Sequence, residues 1–79
     1  MSPAEAQEIP IRGTTIRLGQ LLKLAGIVDS GADARELLSA ERVTVNGEAE
    51  SRRGRQLHPG DMVEAGGHAL RVTATTDER

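Results

Sequence analysis

The sequence predicts an α+β fold, in which a two-helix (helix-turn-helix) unit packs on a small, mainly antiparallel sheet of hairpins. Two observations predict this class. In the first half, apolar residues recur three and four positions apart, as on one face of a helix. In the second half, apolar and polar residues alternate around the turn dipeptides Asn46-Gly47 and Gly66-Gly67, as in hairpins. The 79 residues suffice for one small domain, which we place at residues 9–72.

The composition narrows the possible functions. The chain contains no Phe, Tyr, Trp or Cys, which excludes base stacking on aromatic rings, disulfides and zinc-thiolate sites. A domain of this size has little room for a large active-site cavity, so we expect no small-molecule substrate. The chain also lacks an apolar run of about 18 residues and a signal-peptide pattern. We therefore expect a soluble, cytoplasmic protein that does not contact membranes.

The two ends of the chain are polar. We expect residues 1–8 and 73–79 to form flexible tails. Residues 9–12 predict a short strand at the edge of the sheet. Pro10 favours the edge position because it cannot donate a hydrogen bond to a neighbouring strand.

The first helix is predicted by an apolar stripe that begins at Leu18. Gly26 is typical of the residue that follows a helix C-terminus. Lys23 lies on the polar side of this helix, where plain solvation is the default explanation and an RNA contact is the alternative. The stripe consists of Leu18, Leu21, Leu22 and Ala25.

The second helix is predicted to begin at Ser30, with Asp33 three residues later as in a variant capping box. Gly31 and Arg35 lie four residues apart on a face that we expect to continue towards Arg42. A small residue, a helix N-terminus and a nearby arginine together form a plausible seat for a phosphate. The apolar stripe of this helix consists of Ala34, Leu37 and Leu38.

Two hairpins and one further turn are predicted in the second half. Asn46-Gly47 after Val43-Thr44-Val45 is typical of a type I′ turn, because both central residues need positive φ. Residues 59–61, Pro-Gly-Asp, mark another turn. Residues 62–65 and 68–72 flank Gly66-Gly67 and predict the second hairpin.

A run of three arginines in four residues lies between the first hairpin and the Pro-Gly-Asp turn. Arg52, Arg53 and Arg55 surround Gly54, which would let the backbone approach a bound group. We interpret this run as an anion-binding element. Because it is polar and flanked by turns, we expect its side chains to be solvated and to contribute little to folding.

No arrangement typical of catalysis or metal binding occurs. His58 and His68 have no partner at helical spacing, and nucleophile-elbow, phosphate-loop and dinucleotide motifs are absent from the sequence. Glu48 and Glu50 alternate along one strand, so both should lie on an exposed face. We therefore predict a protein that is not an enzyme and needs neither a cofactor nor a metal.

The net charge of −2 argues against nucleic-acid binding, but its distribution weakens the argument. Residues 12–71 contain nine basic and eight acidic side chains, whereas Glu5, Glu8, Asp77 and Glu78 lie near the ends. Binding of a phosphate chain depends on whether the basic groups share one face, since the field decays over about 8 Å at physiological salt.

These residues resemble the small RNA-binding domain first described in ribosomal small-subunit protein four and shared with pseudouridine synthases and tyrosyl-tRNA synthetases. The helix-helix-hairpin core of that family is matched by Arg17-Leu18, Ser30, Arg35-Glu36-Leu37-Leu38 and Arg42-Val43-Thr44-Val45-Asn46-Gly47.

A narrower resemblance is to the stand-alone bacterial YbcJ-like branch. It rests on residues 18–25 (Leu-Gly-Gln-Leu-Leu-Lys-Leu-Ala), 51–55 (Ser-Arg-Arg-Gly-Arg) and 59–61 (Pro-Gly-Asp). The resemblance implies RNA binding, and we expect the partner to be structured RNA, ribosomal or transfer RNA. We expect a monomer, because no exposed apolar stripe demands a partner. The implied contacts come from the basic face of both helices and the hairpin region, at Lys23, Arg35, Arg42, Arg52, Arg53 and Arg55.

Three other functions remain open at this point. The same arginines could dock the chain on a ribosomal protein, because arginine pairs with carboxylates as well as phosphates. A ubiquitin-like sulfur carrier is suggested by Gly66-Gly67, although such carriers end at this dipeptide and here twelve residues follow it. DNA recognition is disfavoured because the second helix offers few side chains for reading base edges.

Overall fold

A computed structural model describes residues 6–75. Within this range the chain forms two helices and seven strands. The helices are α1 (Leu18–Leu24) and α2 (Gly31–Ser39), and the strands are β1 (Gln7–Ile11), β2 (Ile16–Arg17), β3 (Val43–Val45), β4 (Glu48–Ala49), β5 (Gln56–Leu57), β6 (Met62–Ala65) and β7 (His68–Ala74).

Five strands form the main sheet in the order β1-β7-β6-β3-β4. All neighbours are antiparallel except β1 and β7, which are parallel. β2 and β5 form a separate antiparallel pair. This confirms the predicted α+β class with a mainly antiparallel sheet. It also places Pro10 in an edge strand, where its missing N–H leaves the ladder intact.

Both helices begin where the sequence predicts, and α1 also ends there. Gln20 Oε1 accepts a hydrogen bond of 3.3 Å from the N–H of Arg17, the residue before α1. Gly26 follows the end of α1 with a φ of +78°, the left-handed conformation that glycine favours. Ser30 Oγ accepts a hydrogen bond of 3.2 Å from Asp33 N–H and so caps α2.

The core lies between the helices and one face of the sheet, and it is aliphatic throughout. Alternation along β6 and β7 turns Val63, Leu70 and Val72 inward, whereas Arg71 is exposed as predicted. Three leucines of α1 belong to the same buried cluster. The fully buried large side chains are Leu18, Leu21, Leu22, Val43, Val45, Leu57, Val63, Leu70 and Val72.

Two turns that are separate in sequence are joined in the structure. Asn46 and Gly47 have φ values of +52° and +87°, as the predicted hairpin requires. The Asn46 side chain then donates to Asp61 Oδ1 at 3.1 Å and accepts from Met62 N–H at 2.9 Å. Partial burial alone would raise the pKa of Asp61, but hydrogen bonds from His58 N–H and Asn46 lower this pKa below its ordinary value.

The strands extend beyond the predicted domain limits. β1 begins at Gln7 and β7 ends at Ala74, so residues 7, 8, 73 and 74 lie in strands and not in the tails that we predicted. Residues 1–5 and 76–79 of those tails lie outside the described residues. Neither helix within residues 6–75 is long and apolar enough to cross a membrane.

The Gly66-Gly67 dipeptide forms the turn between β6 and β7. Its φ values are +55° and +88°, which suit a tight hairpin. The dipeptide is therefore internal to the sheet, and its position is not that of the terminal Gly-Gly of a sulfur carrier.

Candidate nucleic-acid interface

The arginine loop, residues 51–55, lies against the start of α1. Leu18 N–H donates to the carbonyl oxygen of Arg55 at 2.8 Å, and Gly19 N–H donates to that of Arg53 at 2.9 Å. The first N–H groups of a helix have no acceptor within the helix. The loop backbone therefore caps α1, and the pairing of β2 with β5 holds the loop beside it.

A buried carboxylate holds two of the three arginines. The Glu50 side chain is only 6% exposed. Its Oε2 accepts from Arg52 Nε at 3.1 Å and from Arg52 N–H at 2.9 Å, and its Oε1 accepts from Arg55 Nη1 at 2.7 Å. We call Glu50, Arg52 and Arg55 the Glu50 cluster. The hydrogen bonds from Arg52 and then Arg55 lower the pKa of Glu50 from 4.5 to about 2.

The prediction that Glu50 lies exposed beside Glu48 is wrong. β4 ends at Ala49, so strand alternation does not extend to Glu50. Its N–H donates to the carbonyl oxygen of Val43 at 3.0 Å, and its side chain turns inward. The charge is tolerated there because two guanidinium groups and a backbone N–H satisfy it.

The prediction that the arginine run is solvated holds only in part. The Arg55 side chain is 33% exposed and is committed to Glu50. Arg52 also bonds Glu50, but its side chain is 74% exposed and keeps donors free for another partner. Arg53 is exposed and, within residues 6–75, makes no ion pair.

Arg53 lines a groove between the two helices, which we call the basic groove. Its volume is about 330 Å³. Lys23 and Arg17 contribute two more cations, neither of them paired with a carboxylate in the described part of the chain. None of the groove residues found within residues 6–75 is acidic. They are Arg17, Gly19, Gln20, Lys23, Gly31, Ala34, Arg53 and Gly54.

The Arg53 side chain crosses from α1 to α2. Its aliphatic part passes over Gly19, where a Cβ atom would lie 2.7 Å from Arg53 Cγ. Its Nη1 reaches Gly31, where a Cβ would lie 3.2 Å away. Gly31 is the first residue of α2, so the guanidinium group lies beside N–H groups and the positive end of the helix dipole. This arrangement suits an anion.

The remaining predicted site residues lie elsewhere. Arg35 is exposed on α2 but does not line the basic groove. The face that we expected to continue to Arg42 ends early, because α2 stops at Ser39 and Glu41 reverses the chain with a φ of +59°. Arg42 instead lines a different surface depression, whose lining also includes Asp33 and Glu36.

Arg17 also lines the basic groove, although it was not among the predicted contact residues. Arg17 lies in β2, directly before α1. It lines the groove because the pairing of β2 with β5 brings the arginine loop to α1. No local sequence pattern reports a pairing between residues that are 39 and 41 positions apart, as Arg17 and Gln56 and Ile16 and Leu57 are. The arginine immediately before the apolar stripe was the only available signal.

The chain is similar in sequence to known proteins. The chain is 48% identical over 62 residues to the probable ribosome maturation protein RlbA of Bacillus subtilis (strain 168), covering 78% of this chain and 87% of that protein. It is 36% identical over 59 residues to YbcJ of Escherichia coli (strain K12), covering 75% and 84%.

The fold is also similar to a solved structure. The solution structure of Escherichia coli YbcJ, described as having an alpha-L motif involved in RNA-binding, superposes with a TM-score of 0.62 at 31% identity and covers 94% of this chain and 92% of YbcJ. The S4 domain family model matches residues 9–73. The predicted resemblance is thus confirmed, and the chain belongs to the S4 domain family.

Proposed function

We propose that this chain is a non-catalytic, cytoplasmic RNA-binding protein whose basic groove holds backbone phosphates of structured RNA. The observation that carries the proposal is the groove itself. Arg17, Lys23 and Arg53 converge there beside the start of α2, and no acidic residue within residues 6–75 lines it. A phosphate entering the groove would meet cations and helix N–H groups together.

Relatives support RNA as the partner and favour one class of RNA. YbcJ, with the same fold, carries a motif described as involved in RNA-binding. The relative at 48% identity is named for ribosome maturation. We therefore propose ribosomal RNA ahead of transfer RNA.

The groove chemistry favours the phosphate backbone over the bases. Lysine and arginine in a helix-lined groove bind phosphates irrespective of sequence, and the chain has no aromatic ring for stacking. Arg35 and the exposed part of Arg52 can extend the contact beyond the groove. Arg42 is disfavoured, because the carboxylates of Asp33 and Glu36 share its surface.

Filter binding over a range of salt concentrations tests the proposal. With three or four phosphates neutralised, log affinity against log salt should have a slope of about −2 to −3.5. The triple variant Arg17→Ala/Lys23→Ala/Arg53→Ala should flatten that slope by about three units at most. A matched control, Arg12→Ala/Arg42→Ala/Arg71→Ala, removes the same charge outside the groove.

The outcomes separate the competing functions. Ribosomal RNA fragments should bind more tightly than transfer RNA, and the control variant should bind like the parent. Equal loss in both triple variants would show that only net charge matters. If the groove variant folds and still binds RNA like the parent, the groove is not the RNA site, and docking on a protein carboxylate becomes the better account.

A further inference from the structure

We propose that Gly19 is a positioning residue for RNA binding, because its missing side chain allows Arg53 to lie across the start of α2. This inference rests on the proposed function, since it concerns how the basic groove presents one of its cations. Gly19 would act through Arg53 and not through a contact of its own with the RNA.

The backbone gives no reason for glycine at this position. Gly19 lies inside α1 and is not among the residues with positive φ. Glycine is a weak helix former, and alanine would favour the helix. The requirement must therefore come from space around the residue, in contrast to Gly47, whose φ of +87° itself favours glycine.

The three heavy atoms nearest to the position of a Cβ at Gly19 all belong to Arg53. A Cβ atom there would lie 2.7 Å from Arg53 Cγ, 3.4 Å from its Cδ and 3.5 Å from its carbonyl oxygen. The first of these distances is far below van der Waals contact. Cγ is close to the backbone, and that backbone is fixed by the hydrogen bond from Gly19 N–H at 2.9 Å. Relief therefore requires Arg53 to change rotamer, which removes its guanidinium group from Gly31.

Gly31 is a second glycine beside Arg53, but a Cβ at Gly31 would come less close to Arg53 than a Cβ at Gly19 would. A Cβ there would approach only Arg53 Nη1, at 3.2 Å. Because Nη1 is at the flexible end of the side chain, a small shift relieves the contact. Gly31→Ala should therefore weaken RNA binding less than Gly19→Ala does.

A double-mutant cycle tests the inference with the parent, Gly19→Ala, Arg53→Ala and the double variant, on a ribosomal RNA fragment that the parent binds. Arg53→Ala should weaken binding about tenfold, the loss of one charge-assisted contact. Gly19→Ala should lose most of the same affinity, and the double variant should lose no more than Arg53→Ala. Without RNA, both single variants should shift the Gly31 amide resonance in the nitrogen-proton NMR spectrum.

Several results would overturn the inference. One is that Gly19→Ala binds RNA like the parent while Arg53→Ala binds it more weakly. Another is that the fold-losses in affinity of the two single variants multiply in the double variant. Parent-like binding by Arg53→Ala would instead contradict the proposed role of Arg53 in the groove. Gly19→Ala should melt at or above the parent temperature. If Gly19→Ala melts at a lower temperature than the parent, the clash with Arg53 should be the cause, and adding Arg53→Ala should restore the melting temperature. Failure of the double variant to do so would also contradict the inference.

Discussion

The basic groove and the Glu50 cluster contain arginines from the same four-residue run, yet these arginines have different partners. Arg53 points to the start of α2 and is unpaired within residues 6–75. Arg55 points to a buried carboxylate at 2.7 Å and is mostly covered. The number of arginines in a basic run therefore overstates the charges that are available to a ligand, because one buried carboxylate can bind some of them and make them structural residues.

The Glu50 cluster should be the more sensitive region to substitution. Glu50→Ala removes the acceptor for Arg55 Nη1 and for both the side chain and N–H of Arg52. The partly exposed guanidinium groups can turn to water, so the loss should stay below that of a fully buried pair. We expect the free energy of unfolding to fall by about 2–3 kcal/mol, measured by urea denaturation.

Glu50→Gln is the matched control, because it keeps the shape and removes the charge. The free energy of unfolding of Glu50→Gln should lie between those of the parent and Glu50→Ala. A change below about 0.5 kcal/mol in Glu50→Ala, the range of ordinary surface sites, would mean that the cluster does not support the fold.

Acid provides a second way to break the cluster. The pKa of Glu50 is about 2 in the folded protein and 4.5 ordinarily, so its contribution is fully present above about pH 4.5 and is lost as pH falls towards 2. The stability difference between the parent and Glu50→Gln should therefore shrink over this range. Urea midpoints of both proteins at about pH 5 and about pH 2.5 measure it, and a constant difference would contradict the assigned pKa.

The two arginines of the cluster should differ from each other. Arg55 makes the shorter bond to Glu50 and is 33% exposed, whereas Arg52 is 74% exposed. Arg55→Ala should lower the free energy of unfolding by about 1–2 kcal/mol, as for a partly buried charged hydrogen bond. Arg52→Ala should lower it less, because water screens the exposed Arg52 guanidinium group. Thermal melting of both variants compares them, and the reverse order would refute the burial argument.

The smallest effects should come from the two predicted contact residues that lie outside both regions. Arg35→Ala should flatten the salt slope of RNA binding by less than one unit, since Arg35 is exposed beyond the groove. Arg42→Ala should leave the slope unchanged, because Asp33 and Glu36 share its surface. If Arg35→Ala and Arg42→Ala flattened the salt slope equally, the RNA interface would continue around α2 to Arg42, which would contradict an interface on the groove side alone.

Features determined by local sequence were predicted well. Ser30 with Asp33, Gly26, and Asn46-Gly47 each specify a cap or turn through φ or a short-range hydrogen bond, and each lies where expected. The apolar stripes likewise identified the buried faces of both helices, because helical periodicity is a local property.

Features determined by long-range contacts were not predictable in the same way. The burial of Glu50 follows from a two-residue β4, whose end no turn dipeptide marks. The groove position of Arg17 requires β2 to pair with β5. Gly19 gives no local signal, because its constraint is the path of Arg53 and not its own φ.

Arg53→Ala and Arg55→Ala, measured side by side for folding and for RNA binding, test whether Arg53 binds RNA while Arg55 supports the fold. Arg53→Ala should have a free energy of unfolding within about 0.5 kcal/mol of that of the parent. It should bind RNA about tenfold more weakly, with a salt slope that is flatter by about one unit. Arg55→Ala should lower stability and bind RNA like the parent at temperatures where it is folded. If both variants lower the same quantity to the same extent, the division between the basic groove and the Glu50 cluster is wrong.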